Sequence, residues 1–475
     1  MSYGIYIGRN HTADGIAYLA GYGDEPSSHW LELVPRQSHT PGSTITVGVT
    51  PHAGLPGRRS QIPQADRTAR HLRVSYSHYL GVPAPLTNGG LNEHGVAVRD
   101  IWSPSRPELI AMTPADQTGP NYSDLARIVT ERATTARHGV EIIADLIARH
   151  GYACYGGNSH MIADPDEAWV VIQFSGGRGL WVAERLGPDS IRASRPGYIG
   201  AIPAEPDADH LFPPYFIDTA VELGWYDRGE GAFDVNRVYG DGLGRWAGVA
   251  WIEDAMTALA ARPEKVTLAD VFWAISTERL TGDTAGYGQV VPLTHPRHVE
   301  LRMMWHAPVG PVTAPLVPVF LGQTQVPLEF GAHRYLASGE SARFLDERHA
   351  DKQPDSVSHI PQGAESTVSA FYVFKRLMHL VFQRPDPFLT EISSHWRRVE
   401  SQFADELPDI QRSAMLLLDD GEADLCARLL TDHASTRLLK ALAEAQILAS
   451  ALDVRLRALG RLNMSVSPRR PEQIW

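Results

Sequence analysis

The residue whose type and position could do the most chemistry is a serine at the second position. Ser2 opens an apolar stretch, YGIYIG, that is typical of a central strand, and it is small enough for the methionine ahead of it to be removed. A terminal serine carries a hydroxyl nucleophile and an α-amine that can take the hydroxyl proton. That amine has an ordinary pKa of about 7.7–8.0, so a usable fraction is neutral near pH 7. Although a serine at this position is usually unremarkable, this setting predicts acyl-transfer chemistry.

Signals for metal and cofactor chemistry are weaker. The 20 histidines are scattered without an HExxH motif, and His295 and His298 lie in a Pro-rich stretch. Because zinc needs convergent ligands, no metal is expected. GLGRWAG at 242–248 has the wrong spacing for a dinucleotide loop, so no cofactor is expected. A GxSxG nucleophile elbow is absent. Cys154, in GYACYGGNSH, is interpreted as a buried structural thiol.

Composition limits the partners. The chain has 475 residues and a formal net charge of -12, with no long basic run, so neither nucleic acid nor an anionic membrane surface is an expected partner. No window approaches about 18 uninterrupted apolar residues, so no membrane span is expected. The two cysteines, Cys154 and Cys426, are too few for a disulfide framework. Since the first residues also lack a secretory pattern, the expected location is the cytoplasm.

Hydrophobic spacing predicts the elements that must position Ser2. Strand patterns dominate the first hundred residues, at 3–8, 16–20, 30–34 and 43–49. Helical spacing follows at 122–149 with Gly151 as a stop, then three strand patterns, SHMIAD, EAWVVIQF and GLWVAERL. Residues 213–280 and the last third are again helical, with a long pattern from 421 to 459. This order is α+β. Residues 345–366 are predicted to be poorly ordered.

Several segments together resemble one family, the N-terminal-nucleophile (Ntn) dipeptidases, cysteine enzymes related to penicillin V acylase and bile-salt hydrolase. The first is SYGIYIG at 2–8, followed by Asp14 and Gly15. The next two are GLNEHGVA at 90–97 and GGNSHMIADPDEAWVV at 156–171. The later segments are DTAGYGQVVPL, MMWHAPVGP, VPVFLGQTQVP and FYVFKRL. The resemblance spans nearly the whole chain and depends on the order of these motifs rather than on any single one.

The resemblance implies a four-layer αββα sandwich with a helical C-terminal part. Residues 1–340 would form the catalytic core, and residues 365–460 would form helices packed on that core. It further implies acyl transfer through an acyl-enzyme on residue 2.

Site residues follow from the same resemblance. Ser2 aligns with the family's cysteine nucleophile, and Asp24 falls where relatives place an acid that orients the terminal amine. Asn92 and Asn158 are candidate oxyanion donors, although asparagines in such turns more often satisfy backbone groups. Glu93 and His94 are interpreted as turn surface. The candidate substrate-binding residues are Tyr22, Arg99, Trp102 and Arg195, with a structural salt bridge as the equal alternative for Arg195.

Two departures from the family pattern bear on function. Serine replaces the cysteine nucleophile, and it is open whether it is a natural serine, as in other Ntn acylases, or a Cys→Ser replacement of the kind used to trap a substrate. The family's Ala-Arg-Asn-x-Asp segment is Ala20-Gly21-Tyr22-Gly23-Asp24 here, so the expected arginine is missing. A pocket without that charge is predicted to be roomier and to handle ordinary dipeptides poorly.

Three functions stay open on the sequence. The first is an amidohydrolase of the dipeptidase or acylase kind acting on a small-molecule amide. The second is an amide-forming acyltransferase of specialised metabolism, which would take an acyl group from a carrier-protein thioester and so have an acyl carrier protein as partner. The third is an inactive relative that serves as a binding module. Whether the chain forms a homo-oligomer is not decided.

Overall fold

The computed structural model describes residues 2–25, 27–50, 55–77, 82, 85–153, 156–332, 368–461 and 473–474. The strands are β1 (Tyr3–Ile7), β2 (Ala17–Gly23), β3 (His29–Val34), β4 (Gln37–Ser38), β5 (Thr44–Val47), β6 (Ser60–Pro63), β7 (Arg67–Thr68), β8 (His71–Tyr76), β9 (Leu86–Asn92), β10 (Ala97–Trp102), β11 (Asn158–Ala163), β12 (Ala168–Gln173), β13 (Trp181–Leu186), β14 (Ile191–Ser194), β15 (Ala201–Ile202), β16 (His210–Leu211), β17 (Phe233–Asp234), β18 (Tyr287–Leu293), β19 (Met303–Ala307) and β20 (Val317–Phe320). The helices are α1 (Pro107–Ala111), α2 (Tyr122–Arg132), α3 (Ala136–His150), α4 (Phe216–Glu222), α5 (Val235–Tyr239), α6 (Ala247–Ala260), α7 (Leu268–Ser276), α8 (Ala370–Gln383), α9 (Pro385–Asp419) and α10 (Ala423–Arg461).

Two antiparallel sheets form the centre of the molecule. The first has six strands in the order β14-β1-β2-β18-β19-β20, and the second has eight in the order β16-β13-β12-β11-β10-β9-β8-β3. Every residue of β1 is buried, which fits a strand paired on both edges and covered on both faces. The sheets approach closely at Gly4, because a Cβ atom there would lie 2.6 Å from the Ile101 side chain of β10.

Helices cover the outer faces of both sheets. α2 and α3 pack on the eight-stranded sheet, and α6 and α7 pack on the six-stranded sheet. The sequence explains the α2 and α3 ends, since Asn121 and Asp124 form a capping box and α3 stops at Gly151, whose φ is 85°. The layers are therefore helix, sheet, sheet and helix. The predicted α+β class and four-layer αββα architecture are confirmed.

The C-terminal helices pack on the edge of the six-stranded sheet. α9 and α10 contact β20, and α8 packs against α10. Trp396 of α9 donates its indole N–H to the Thr313 carbonyl oxygen at 2.8 Å, so this part is anchored to the core by polar contacts as well. The boundary predicted between 340 and 365 and the poorly ordered segment predicted at 345–366 lie almost wholly outside the described residues. The division into two parts stays a prediction.

Within the parts of the chain that the structure describes, no helix is both long enough and apolar enough to cross a membrane.

Candidate active site

Ser2 directly precedes β1, which lies between β14 and β2 in the six-stranded sheet. Its side chain is buried, with 3% of the residue exposed, and its hydroxyl donates to a carboxylate oxygen of Glu25 at 2.9 Å. The register explains this contact, because Tyr3 pairs with Tyr22 on antiparallel β2. The residues that follow β2, Asp24 and Glu25, therefore come back alongside Ser2.

Asp24 is held in place by two donors. Arg195 Nη2 lies 3.2 Å from its carboxylate, and the Thr284 hydroxyl also donates to it. Burial on its own would raise the pKa of Asp24, but the N-terminal ammonium, the Arg195 charge and the Thr284 hydroxyl lower that pKa to about 2. Asp24 is therefore an ionised carboxylate beside the N-terminal residue, as its predicted role in orienting an amine requires.

Tyr22 and Arg195 belong to the hydrogen-bond network that holds the Asp24 carboxylate in place. Arg195 Nη1 donates to the Tyr22 hydroxyl at 2.7 Å, and that hydroxyl donates to the Leu280 carbonyl oxygen at 2.5 Å. Tyr22 is fully buried, and this burial raises the pKa of its hydroxyl. Both predicted residues thus belong to the same network as Asp24. Their contacts are those of residues that position a carboxylate.

Glu25 was not among the residues predicted from the sequence. Its second carboxylate oxygen accepts from Asn88 Nδ2 at 2.6 Å and lies 3.7 Å from His29 Nε2. Although burial opposes ionisation, the hydrogen bond and charge of His29, the N-terminal ammonium and the charge of Arg99 lower the pKa of Glu25 to about 2. A second ionised carboxylate therefore lies next to Ser2.

His29 backs Glu25 from β3. Its Nδ1 lies 2.7 Å from the Ser27 carbonyl oxygen, and since a carbonyl only accepts, Nδ1 carries a proton and Nε2 faces Glu25. The ring stacks on Tyr76, Tyr287 and Phe371, with centroids 5.2, 5.6 and 5.8 Å away. Burial lowers the pKa of His29. Because Phe371 belongs to α8, the C-terminal helices help to close this side of the site.

Arg99, predicted to bind substrate, is fully buried between the sheets. It donates to the Asn88 carbonyl and side-chain oxygens at 3.0 and 3.1 Å, to the Tyr22 carbonyl oxygen at 2.9 Å, and to the Tyr287 hydroxyl. Burial lowers its pKa to about 10. The guanidinium thus positions Asn88 and the end of β2.

The position of Arg99 also changes the interpretation of Gly21. A Cβ atom at Gly21 would lie 3.0 Å from Arg99 Nε and 2.1 Å from the Tyr3 carbonyl oxygen. The space beside Gly21 is therefore filled, and the expectation of a roomier pocket at this point is wrong. A cation does lie here, supplied by β10 instead of β2, but with 0% exposure it is closed to a substrate carboxylate.

Asn92 lies in the turn between β9 and β10. Its amide donates to the Thr130 and Ala133 carbonyl oxygens at 3.1 and 2.7 Å, and its oxygen accepts the backbone N–H groups of His94 and Val96. Both amide hydrogens are thus used to fix the end of α2, so these contacts are those of a turn residue. The exposed His94 fits the predicted turn surface. Glu93 does not, because it is buried and paired with Arg36 and the Arg70 backbone.

Asn158 starts β11 and donates to the Asp100 carboxylate and to the Ser159 carbonyl oxygen, the latter at 3.1 Å. Burial raises the pKa of Asp100 to about 8. Asp100 alternates with Arg99 along β10 and so lies on the other face of the sheet. Trp102 ends β10 half-buried, with its ring 6.3 Å from that of Trp246. The catalytic role of Asn158 and the substrate-binding role of Trp102 stay predictions.

Sequence reasoning missed four residues of this group, Glu25, His29, Asn88 and Thr284. Glu25 directly follows Asp24, and Asn88 directly precedes the GGLNE motif, so adjacency to known motifs was the available signal. The buried partners of a carboxylate depend on strand register, which the sequence does not state.

The other chemistry considered has no counterpart among the described residues. They contain no group of three or more His, Cys, Asp or Glu side chains arranged to hold a metal. His295 and His298 contact Asp166 and Asp419. Cys154, interpreted as a structural thiol, lies outside the described residues.

The described residues thus form an αββα sandwich in which a buried serine directly precedes β1 and lies beside an anchored aspartate. The family model of Peptidase family C69 matches residues 82–243. The predicted likeness to the Ntn dipeptidases is thereby confirmed.

Individual relatives are similar over part of their length. A probable dipeptidase of Salmonella dublin is 28% identical over 160 residues, which cover 32% of this chain and 35% of the relative. Probable dipeptidase B of Lactococcus lactis subsp. lactis (strain IL1403) is 27% identical over 177 residues, covering 33% and 36%. The match thus spans about a third of each relative. A mutant conjugated bile acid hydrolase from Clostridium perfringens is 12% identical, with 64% of this chain and 88% of that chain covered and a TM-score of 0.33.

Proposed function

We propose that this protein is an amidohydrolase that works through an acyl-enzyme on Ser2 after Met1 is removed. The observation that carries the proposal is the position of Ser2. Its hydroxyl is buried just before β1 and donates to the Glu25 carboxylate, and the carboxylate of the preceding residue, Asp24, is anchored by Arg195. A side chain as small as serine contributes little to packing, so its buried position beside two carboxylates favours a role as a nucleophile.

The reaction follows from these groups. The neutral α-amine of Ser2 takes the hydroxyl proton as the oxygen attacks the amide carbon. The amine then gives that proton to the leaving nitrogen, and an acyl-enzyme remains. Water attacks the acyl carbon and loses a proton to the amine, which passes that proton to Ser2 Oγ as the bond from Oγ to the acyl carbon breaks and the acid leaves. Asp24, ionised and fixed by Arg195 and Thr284, orients the amine through both steps.

The substrate we propose is a small-molecule amide that carries no free carboxylate at the end near β2. Arg99 and Arg195 are both buried, and both are already bonded to groups of the protein, so neither offers a free cation to a carboxylate. Common dipeptides would therefore be poor substrates. The half-buried pair of Trp102 and Trp246 offers an aromatic surface for a larger group.

The lack of a free cation for a substrate carboxylate near β2 also supports a second candidate function, amide formation. The acyl-enzyme is common to both reactions, and the outcome depends on whether water or a bound amine attacks it. A site that disfavours free carboxylates suits an acyl group delivered as a thioester, such as one on a carrier protein. In either case we propose a cytoplasmic enzyme, since two cysteines suit a reducing compartment.

Intact-mass spectrometry tests the proposal first. Active protein should lack Met1 and gain the mass of an acyl group when a slow substrate is added. Ser2→Ala should show neither turnover nor adduct while remaining folded, and Ser190→Ala, in the turn before β14, is the matched control that keeps both. Turnover by Ser2→Ala, or equal activity from protein that keeps Met1, would contradict the mechanism.

A competition assay separates the two candidates. A dipeptide panel and a set of acyl thioesters are offered with and without added amines, and products are followed by mass. We expect slow dipeptide cleavage. Amide product from a thioester would establish the acyltransferase, and efficient cleavage of common dipeptides with no amide product would establish a plain dipeptidase.

A further inference from the structure

The Glu25 carboxylate accepts a hydrogen bond from the Ser2 hydroxyl, the proposed nucleophile. We propose that Glu25 positions the Ser2 hydroxyl and holds positive charge on the neighbouring α-amine, so that Glu25 sets the pH at which the enzyme becomes active. This inference rests on the proposed function, because it assumes that Met1 is removed and that the freed amine is the base. It adds a second carboxylate, with a different task, to the one that the family resemblance places at Asp24.

The Glu25 carboxylate is close enough to the Ser2 amine to affect its pKa. Glu25 Oε1 lies 2.9 Å from Ser2 Oγ. Within one serine the hydroxyl oxygen and the α-nitrogen are roughly 3 Å apart by covalent geometry. The carboxylate is therefore within about 6 Å of the amine, a range in which an opposite charge stabilises the charged form. Since Ser2 is buried, water screens this attraction little.

The Glu25 carboxylate is also held in a fixed position by its neighbours. Asn88 Nδ2 holds its other oxygen at 2.6 Å, and Arg99, which bonds Asn88 through both the backbone and the side chain, fixes Asn88 in turn. The carboxylate therefore cannot swing away from Ser2 without breaking this chain of contacts. A side chain with a merely structural role would need the Asn88 contact but not the one with the nucleophile.

Several charged or titratable groups face Glu25 from the elements around it. They are Asp24 before it, His29 of β3, Arg99 and Asp100 of β10, and, acting through His29, Lys375 of α8. Arg99 compensates the charge of Glu25, and burial lowers the pKa of His29. The pKa of Glu25 is lowered to about 2, so it stays anionic wherever the amine titrates.

The consequence is a defined pH dependence. A negative charge near the amine favours the ammonium form and so raises the amine pKa, and only the neutral amine can take the hydroxyl proton. On the acid side of the pH–activity profile, which is called the acid limb here, activity therefore rises at a higher pH with Glu25 present than without it. Replacing the carboxylate by an amide keeps an acceptor for the Ser2 hydroxyl and removes the charge, so the limb should move to lower pH by about one unit or more.

The test measures the amine directly. Protein lacking Met1 is labelled with 15N-serine, and the amine nitrogen of Ser2, which resonates apart from backbone amides, is followed through a pH titration. Glu25→Gln should lower the titration midpoint by about one pH unit or more relative to wild type. Glu93→Gln, which removes another buried carboxylate beside an arginine, should leave the midpoint unchanged. Where activity is measurable, the acid limb should move with the midpoint.

The outcomes are distinct. An unchanged midpoint in folded Glu25→Gln overturns the inference. If loss of the charge opposite Arg99 prevents that variant from folding, Glu25→Asp decides instead, since its shorter carboxylate withdraws from Ser2. A lower midpoint then supports the inference, and an unchanged one overturns it. A midpoint that moves while no substrate is turned over would contradict the proposed function and leave the role of Glu25 intact.

Discussion

Replacing Asp24 by asparagine separates its catalytic role from its structural one. In the folded protein the N-terminal ammonium, Arg195 and Thr284 stabilise the ionised carboxylate against the cost of its burial, and the pKa of Asp24 falls from 3.8 to about 2. A shift of this size corresponds to roughly 2 kcal/mol of stability. Because the folded pKa is the lower one, this contribution is present above about pH 4 and is lost as the pH falls towards 2. Asp24→Asn should therefore be less stable by roughly 2 kcal/mol at pH 7, with the difference shrinking below pH 4.

The effect on rate should exceed what lost stability explains. If Asp24 orients the base, Asp24→Asn should lower kcat by roughly 100-fold at a temperature where the variant is fully folded. The matched control is Asp270→Asn, which removes a carboxylate from the capping box of α7 and costs about 0.5–2 kcal/mol without touching the site. Kinetics and denaturant unfolding are measured on both variants. If their rates fall equally, or if Asp24→Asn does not fold at all, Asp24 is a structural residue and the reasoning is refuted.

Three further changes test other parts of the argument. Ser2→Cys should stay active or become faster, since cysteine is partly ionised near neutral pH and more nucleophilic; loss of all kcat would contradict the acyl-enzyme. Asn92→Ala should lower stability by roughly 2–4 kcal/mol in denaturant unfolding, because it leaves buried backbone groups unpaired, with kcat kept when folded. A large fall in kcat would restore its predicted oxyanion role. Burial raises the pKa of Glu400 to about 8, so its contribution to stability should fall by about 1.4 kcal/mol per unit between roughly pH 5 and 8, and Glu400→Gln should make the measured slope shallower by that amount.

The sequence predicted those parts of the fold that depend on local patterns. The strand at 3–8 and the helical region at 122–149 were found because burial imposes a periodicity, and Gly151 ends α3 as expected. The layers came from the family resemblance, which local spacing could not replace. Residues 385–419, which form the long helix α9, were covered only by the general expectation that the last third is helical.

The site was predictable as far as it depends on sequence neighbours and no further. Ser2 and Asp24 belong to motifs, whereas the partners that fix them come from other strands and from the segment before β18. Asn92 attracted attention because it lies inside a motif, yet its contacts fix a turn, and Asn88, four residues earlier on the same strand, bonds the carboxylate beside Ser2.

Arg99 supplies a positive charge beside position 21, where the sequence lacks the arginine expected from the family resemblance. The family's arginine is absent at position 21, and the sequence alone suggested that its charge was lost. In the folded chain a guanidinium from β10 lies against Gly21 and would collide with any side chain placed there. Glycine at 21 and arginine at 99 are therefore two halves of one arrangement, in which the cation lies between the sheets and supports Asn88 and, through it, Glu25. The Arg99 guanidinium thus holds, through Asn88, the carboxylate that contacts the Ser2 hydroxyl.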